Sequence, residues 1–358
     1  MNNNYVSYFR PDIEAMSGYA PGEQPKAGKV IKLNTNESPF PPSPMVRKAL
    51  DEFNTDLLRL YPNPVSADFR AEVSAMYGYT ADNIITGNGS DDLLTILTRC
   101  FSDASHPVAC FDPSYSLYPT LAELQGAECI KIPLTEDFDI PENVLEQAER
   151  ANLFFIACPN APTGNRFARE KLEKICANFK GIVVLDEAYA DFAEQNCIDM
   201  VRKYANTVVT RTFSKSRSLA GLRFSYAVAH PKLIEGMMKM KDSYNVSMLA
   251  QKLALASLRD MEYFNDSVEK IKQNRKLLAE KLAELGFTVL PSETNFLFVI
   301  PPVNAADYFN ALKKRNIFIR YFAMERTCRY VRITVGTQEE IEALLQATVE
   351  ILKELSVS

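Results

Sequence analysis

Between residues 66 and 230, short β-branched or aromatic runs alternate with segments of helical period, and this alternation constrains the fold more than any other feature of the chain. The runs are "NIIT", "VACFD", "ECIKI", "LFFIA", "IVVLDEA", "TVVTRTF" and "YAVAH". Between "LFFIA" and "IVVLD", the segment "REKLEKICANF" places Leu172, Ile175, Cys176 and Phe179 at i, i+3, i+4 and i+7, one apolar face of a helix. Strand, helix and strand in that order make a βαβ unit. Its repetition predicts an α/β fold with a mainly parallel sheet between helices, and ligands beyond the carboxyl ends of the strands.

From about residue 246 the pattern changes. A long polar-apolar helical stretch is expected over 248–285, ended by Gly286. After it come "NFLFVI", a helix "AADYFNALKKR", the runs "IFIRYF" and "YVRITVG", and a last helix from about 337 to 355. Fewer strands and longer helices predict a smaller α+β domain. Residues 1–45, rich in proline and asparagine, read as an extended arm. The expected division is therefore an arm over 1–45, a large domain over 46–245, and a small domain over 246–358 that packs with the arm.

The net charge of −5 is spread without a basic stripe, so nucleic acid is not an expected partner. No apolar run approaches bilayer length and the N-terminus lacks a signal pattern, so neither membrane nor export is expected. The seven cysteines are odd in number and lack CxxC spacing, as reduced core thiols of a cytoplasmic protein would be. The two histidines, His106 and His230, each precede proline, and no ligand cluster points to a metal. Acid-base work in such a chain falls to lysine, tyrosine or a cofactor.

Chemistry concentrates after three of the runs. "TRTFSKSRSLAGLRFSY" gathers Thr212, Ser214, Lys215 and Arg223 behind a strand. Hydroxyls and an arginine there make a phosphate cradle, and a lysine beside a bound phosphate can act as a nucleophile. "GNGSDDLLTIL" puts Gly89, Ser90 and Asp91 at a helix start, where backbone N–H groups bind phosphate and where Ser90 or Asp91 equally reads as an N-cap. The same stretch fails the G-x-G-x-x-G dinucleotide pattern. "IVVLDEAYADF" ends a strand with Asp186, costly there without a cation to meet it, and brings Tyr189 three residues on. A carboxylate, a phenol, a lysine and a phosphate cradle are together what pyridoxal phosphate requires.

"TFSKSRSLAGLRFSY", "VVLDEAYADF" and "CPNAPTGN" resemble the segments of fold-type I pyridoxal-phosphate aminotransferases. "LNTNESPFPPSP", "YPNP", "GNGSDD", "ETNFLFV", "IFIRYF" and "VRITVGT" are most similar to the histidinol-phosphate aminotransferase family, and the resemblance spans essentially the whole chain. It implies that Lys215 holds the cofactor covalently, Asp186 meets the pyridine nitrogen, Tyr189 meets the ring hydroxyl, and Tyr115 stacks on the ring. Gly89, Ser90, Asp91, Thr212, Ser214 and Arg223 would hold the cofactor phosphate, with Tyr61 of "YPNP" reaching in from the second subunit of a homodimer. In most relatives an asparagine directly precedes Pro-Thr-Gly, whereas here that position is Ala161; either Asn160 takes the role or Tyr189 holds the hydroxyl alone.

On the substrate side, Arg332 sits mid-strand in "YVRITVG", where a guanidinium is costly without an anion to meet it. The resemblance sends Arg332, Arg320 and Tyr19 toward the substrate, and implies amino transfer between L-histidinol phosphate and 2-oxoglutarate in histidine biosynthesis. Two arginines suit a phosphate monoester, and one also suits the carboxylate of glutamate. The alternatives are a threonine-phosphate decarboxylase, a broad aromatic aminotransferase, or a non-catalytic protein that binds pyridoxal phosphate or phosphate.

Overall fold

The computed structural model describes residues 7–18, 22–25 and 30–356. After a short strand β1 (Ile31–Lys32) come β2 (Ile84–Gly87), β3 (Val108–Asp112), β4 (Cys129–Pro133), β5 (Leu153–Ala157), β6 (Ile182–Asp186), β7 (Thr207–Thr212) and β8 (Ser225–Ala229). Strands β2 to β8 form one sheet in the order β2-β8-β7-β6-β5-β3-β4. The pairs from β4 to β7 are parallel, and β8 runs against both β7 and β2. The link from β7 to β8, residues 213–224, contains one short turn of helix, Ala220–Leu222, so the chain folds back instead of crossing over.

Side-chain alternation sends Phe154, Ile156, Val183, Leu185 and Val209 to one face, where helix Arg169–Asn178 adds Leu172 and Ile175. Phe155, Val184, Val208 and Ala227 go to the other, under helices Ser90–Phe101 and Leu117–Leu124. Both faces are thus covered, which is why β5, β7 and β8 are buried along their whole length.

The smaller sheet contains β9 (Thr288–Val289), β10 (Phe296–Ile300), β12 (Arg320–Tyr321) and β13 (Val331–Thr334), all antiparallel in the order β12-β13-β10-β9, while β11 (Ile317–Phe318) pairs in parallel with β1. "IFIRYF" therefore splits, one half clasping the N-terminal segment and the other presenting Arg320. Leu278, Leu282, Phe287, Leu297, Ile333 and Leu344 fill the core beneath.

Two expected segments gain detail in the structure. The stretch 248–285 is two helices, Met248–Arg259 and Met261–Glu284, because Asp260 leaves helical geometry (φ −94°, ψ 71°) and its carboxylate caps the second helix by accepting from Tyr263 N at 3.3 Å. The N-terminal segment is not extended throughout. Pro11–Ala15 forms a short helix, and residues 31–33 are laced into the small domain, with Leu33 N donating to Phe318 O at 2.7 Å and Thr334 N donating to Leu33 O at 3.0 Å. No helix among the described residues is long and apolar enough to cross a membrane.

Candidate active site

The carboxyl ends of β5, β6 and β7 open on a cavity of about 220 Å³ lined by Ala157, Asp186 and Thr212 from those strands and by Arg320 and Arg332 from the small sheet. A wider groove of about 810 Å³ near Pro64, Lys232 and Lys239 shares no lining residue with it and brings together no comparable set of reactive groups.

Asp186 forms the floor. It is 4% exposed; one oxygen accepts from Tyr118 Oη at 2.8 Å and the other from Thr210 Oγ1 at 3.0 Å. Burial pushes the carboxyl above its usual value, and the two hydroxyls pull it back. The Ala188 backbone also bonds this carboxylate, and none of these partners is charged, so a cationic ring nitrogen on the cavity side would complete it.

Lys215 and Tyr189 stand opposite an edge formed by the N-terminal segment. Lys215 Nζ donates to Thr35 O at 3.0 Å and lies 5.8 Å from the centre of the Tyr189 ring. The Tyr189 hydroxyl accepts from Asn36 Nδ2 at 2.9 Å, and its ring meets Phe296 edge to face. Asn36 is buried in the left-handed region (φ 58°) and also accepts from Thr334 Oγ1 at 3.1 Å. One short stretch thus carries a backbone partner for the lysine and a side-chain partner for the phenol.

At the other end the helix Ser90–Phe101 points its N-terminus inward. Its N-cap is Gly89 (φ 84°, ψ 161°), which has no side chain to satisfy the first N–H groups. Its φ of 84° is a conformation glycine takes freely and other residues only with strain, and a Cβ there would stand 2.3 Å from Arg223 Nη2 and push the guanidinium aside. Arg223 Nη1 donates to Ser214 Oγ at 3.3 Å, Ser214 Oγ accepts from Thr212 Oγ1 at 3.1 Å, and Arg223 Nη2 reaches Asp91 Oδ2 at 3.5 Å. Tyr115 Oη donates to the other Asp91 oxygen at 3.2 Å. A helix N-terminus, two hydroxyls and a guanidinium fit a phosphate group.

Arg320 and Arg332 face each other directly across the β12–β13 pair. Like charges in that register repel, and an anion between them removes the penalty. Arg332 Nη2 donates to Asn34 O at 3.0 Å, and both guanidinium groups lie 5.4 Å from the Phe322 ring.

Behind the wall, Arg211 pairs with Glu187 at 3.2 Å and with Asp191 at 3.0 Å. Asp191 also accepts from Ser216, next to Lys215, which ties the lysine loop to the exit of β6. Burial pushes Glu187 up to about 7 against the pull of Arg211.

Of the residues singled out in the sequence, Ser90, Asp91, Tyr115, Asp186, Tyr189, Thr212, Ser214, Lys215, Arg223, Arg320 and Arg332 all line the cavity. Asn160 does not. It is fully buried, donating to Pro113 O at 3.0 Å and Thr163 Oγ1 at 2.8 Å and accepting from Ser114 Oγ at 2.8 Å, so its amide is committed to the turn while Ala161 and Pro162 face the cavity. The amide at the phenol comes instead from Asn36. Tyr61 is 78% exposed and stacks on Tyr244 at 4.4 Å, outside this chain's own cavity. Tyr19 lies outside the described residues. Sequence reasoning missed Tyr118, Thr210, Thr35 and Asn36; the signals were Tyr118 one helical turn after Tyr115, and the polar run "LNTNE".

Residues 28–347 match the family model of aminotransferase class I and II. The chain is 42% identical over 350 residues to histidinol-phosphate aminotransferase 1 of Trichormus variabilis, covering 97% of this chain and 100% of that relative. It is 44% identical over 340 residues to the histidinol-phosphate aminotransferase of Synechocystis sp., covering 95% and 97%. The crystal structure of histidinol-phosphate aminotransferase from Sinorhizobium meliloti in complex with pyridoxal-5'-phosphate matches with a TM-score of 0.90 at 27% identity, over 98% of this chain and 99% of that one.

Proposed function

The chain belongs to the class I and II aminotransferase family, and we propose that it moves an amino group between L-histidinol phosphate and 2-oxoglutarate with pyridoxal 5'-phosphate as cofactor. The substrate assignment rests on Arg320 and Arg332, two cations in direct cross-strand register beside the cavity. A phosphate monoester carries enough charge and oxygens to satisfy both, and the carboxylates of glutamate use the same pair in the second half-reaction.

Asp186 would hold the ring nitrogen, Tyr189 the ring hydroxyl, Tyr115 the ring face, and the Gly89–Ser90 helix start with Thr212, Ser214 and Arg223 the phosphate. When bound, the cofactor would supply an aldehyde carbon for an amine and a cationic, electron-withdrawing ring. Lys215 Nζ would take the Cα proton and later give it back. Thr35 O, as acceptor, directs one N–H of that amine away from the substrate and leaves its lone pair for proton transfer. The Asp191–Ser216 bond limits the excursion of the lysine loop during this exchange.

The active unit would be a homodimer in the cytoplasm; the seven free thiols and the exposed Tyr61 ring, outside this chain's own cavity, support this reading. The deciding experiment compares glutamate formation from 2-oxoglutarate with L-histidinol phosphate, phenylalanine, tyrosine and leucine as donors. Histidinol phosphate should be preferred by at least about tenfold in kcat/KM, the discrimination expected of one well-made charged contact. Faster turnover of phenylalanine, or carbon dioxide release from threonine phosphate without a keto acid, would replace the assignment.

A further inference from the structure

The phenol nearest the Asp186 carboxylate belongs to Tyr118, on the first turn of the helix Leu117–Leu124. Its side chain is fully buried and fixed from two sides, stacked on Phe155 at 4.8 Å with 10° between the planes and met edge-on by Tyr115 at 5.5 Å. A phenylalanine would fill the same slot. What the hydroxyl adds is the bond to Asp186 Oδ2, 2.8 Å long.

We propose, on the basis of the cofactor assignment above, that Tyr118 is a positioning residue: its hydroxyl holds the Asp186 carboxylate in one orientation and in its charged form, ready for a cationic ring nitrogen. Thr210 holds the other oxygen and the Ala188 backbone adds a third bond, so the carboxylate is held at both oxygens while it lines the cavity. The same tyrosine supports Tyr115, which bonds Asp91 beside Arg223. One run of contacts thus connects the nitrogen end of the cofactor site to its phosphate end.

Other titratable groups act on the pair. Asp91 on helix Ser90–Phe101 pushes the Asp186 carboxyl up, and Cys110 on β3 and Tyr115 act on the Tyr118 hydroxyl. Lys215, Tyr189 and Arg223 line the rest of the cavity. Burial beside a carboxylate holds the Tyr118 proton firmly, so the hydroxyl stays the donor at every working pH.

The test is Y118F, measured first without cofactor. A carboxyl whose folded value is raised contributes its full stability below the unfolded value, about 3.9, and loses it as pH rises through the folded value. Removing the Tyr118 bond raises the folded value further. The urea midpoint of Y118F should therefore fall below that of the parent by an amount that widens between pH 4 and pH 8, and the widening should vanish when both proteins carry D186N. With cofactor added, Y118F should bind pyridoxal phosphate about 10- to 100-fold more weakly, as expected for a lost bond to a charged group. A deficit that is constant with pH, or a widening that persists with D186N, would reduce Tyr118 to packing and overturn the proposal. Should Y118F not fold, Tyr118→3-fluorotyrosine keeps the ring and strengthens the donor; it should narrow the pH-dependent loss, and an unchanged profile overturns the proposal equally. A protein that binds no pyridoxal phosphate at all would refute the cofactor assignment, while the cofactor-free series still decides whether Tyr118 governs Asp186.

Discussion

On the large-sheet side of the cavity, Asp186, Thr212 and Ser214 are already engaged by neighbouring hydroxyls, whereas on the small-sheet side two guanidinium groups face each other across one strand pair. The first wall is preorganised: its polar groups are oriented before anything binds, which suits a group that stays in place through many turnovers. The second wall carries an electrostatic demand that different anions can meet in turn, which suits substrates that come and go. A reaction in two halves, with one resident group and two exchanging partners, needs this asymmetry.

The contrast is sharpest at Lys215, the one cation among the groups of the first wall that would react. K215A should lower transamination by about 10⁴-fold or more, since it removes both the covalent attachment and the proton carrier. Single-turnover spectra with histidinol phosphate measure this. A loss below tenfold would mean that another group moves the proton and that the large-sheet wall only binds.

The second wall is tested by R332M with histidinol phosphate and dephosphorylated histidinol side by side. Loss of one guanidinium should lower kcat/KM for histidinol phosphate by about 100-fold and for histidinol by less than about threefold, because only the former presents the anion. R320M should act in the same direction. Equal losses on both donors would show that Arg332 shapes the pocket without reading the phosphate.

The two walls also differed in how far the sequence revealed them. Lys215, Asp186 and Thr212 lie at or just past strand ends, and strand ends are recognisable from β-branched runs, so the large-sheet contribution could be placed from local pattern alone. The facing of Arg320 and Arg332 is a register between strands separated by a turn, and no local period encodes it. Tyr118 and Thr210 read as core positions, because a buried phenol or hydroxyl shows its partner only in three dimensions. Of the two readings offered for the ring hydroxyl, the one through Asn160 meets an amide already taken by the turn, and Asn36 gives no sequence signal, because polar residues in a proline-rich arm carry no period. The break at Asp260 carries no periodic signal, since its neighbours continue the helical pattern on both sides.

The smallest expected effect lies where the walls meet. Residues 33–36 bond to both: Asn34 O to Arg332, Thr35 O to Lys215, Asn36 to Tyr189 and Thr334. Asn36 adopts φ 58°, a conformation that glycine reaches freely and alanine only with strain. N36G therefore removes the side-chain bonds without adding strain and should cost about 1–2 kcal/mol in stability, with kcat lowered about three- to tenfold because Phe296 still holds the Tyr189 ring. N36A should be less stable than N36G by about 1 kcal/mol, with the same kcat, since strain burdens the fold and the lost bond burdens the site. Chemical denaturation and steady-state rates on the two variants separate these contributions. If N36A and N36G differ in rate but not in stability, the segment is a moving part between the walls instead of a fixed brace.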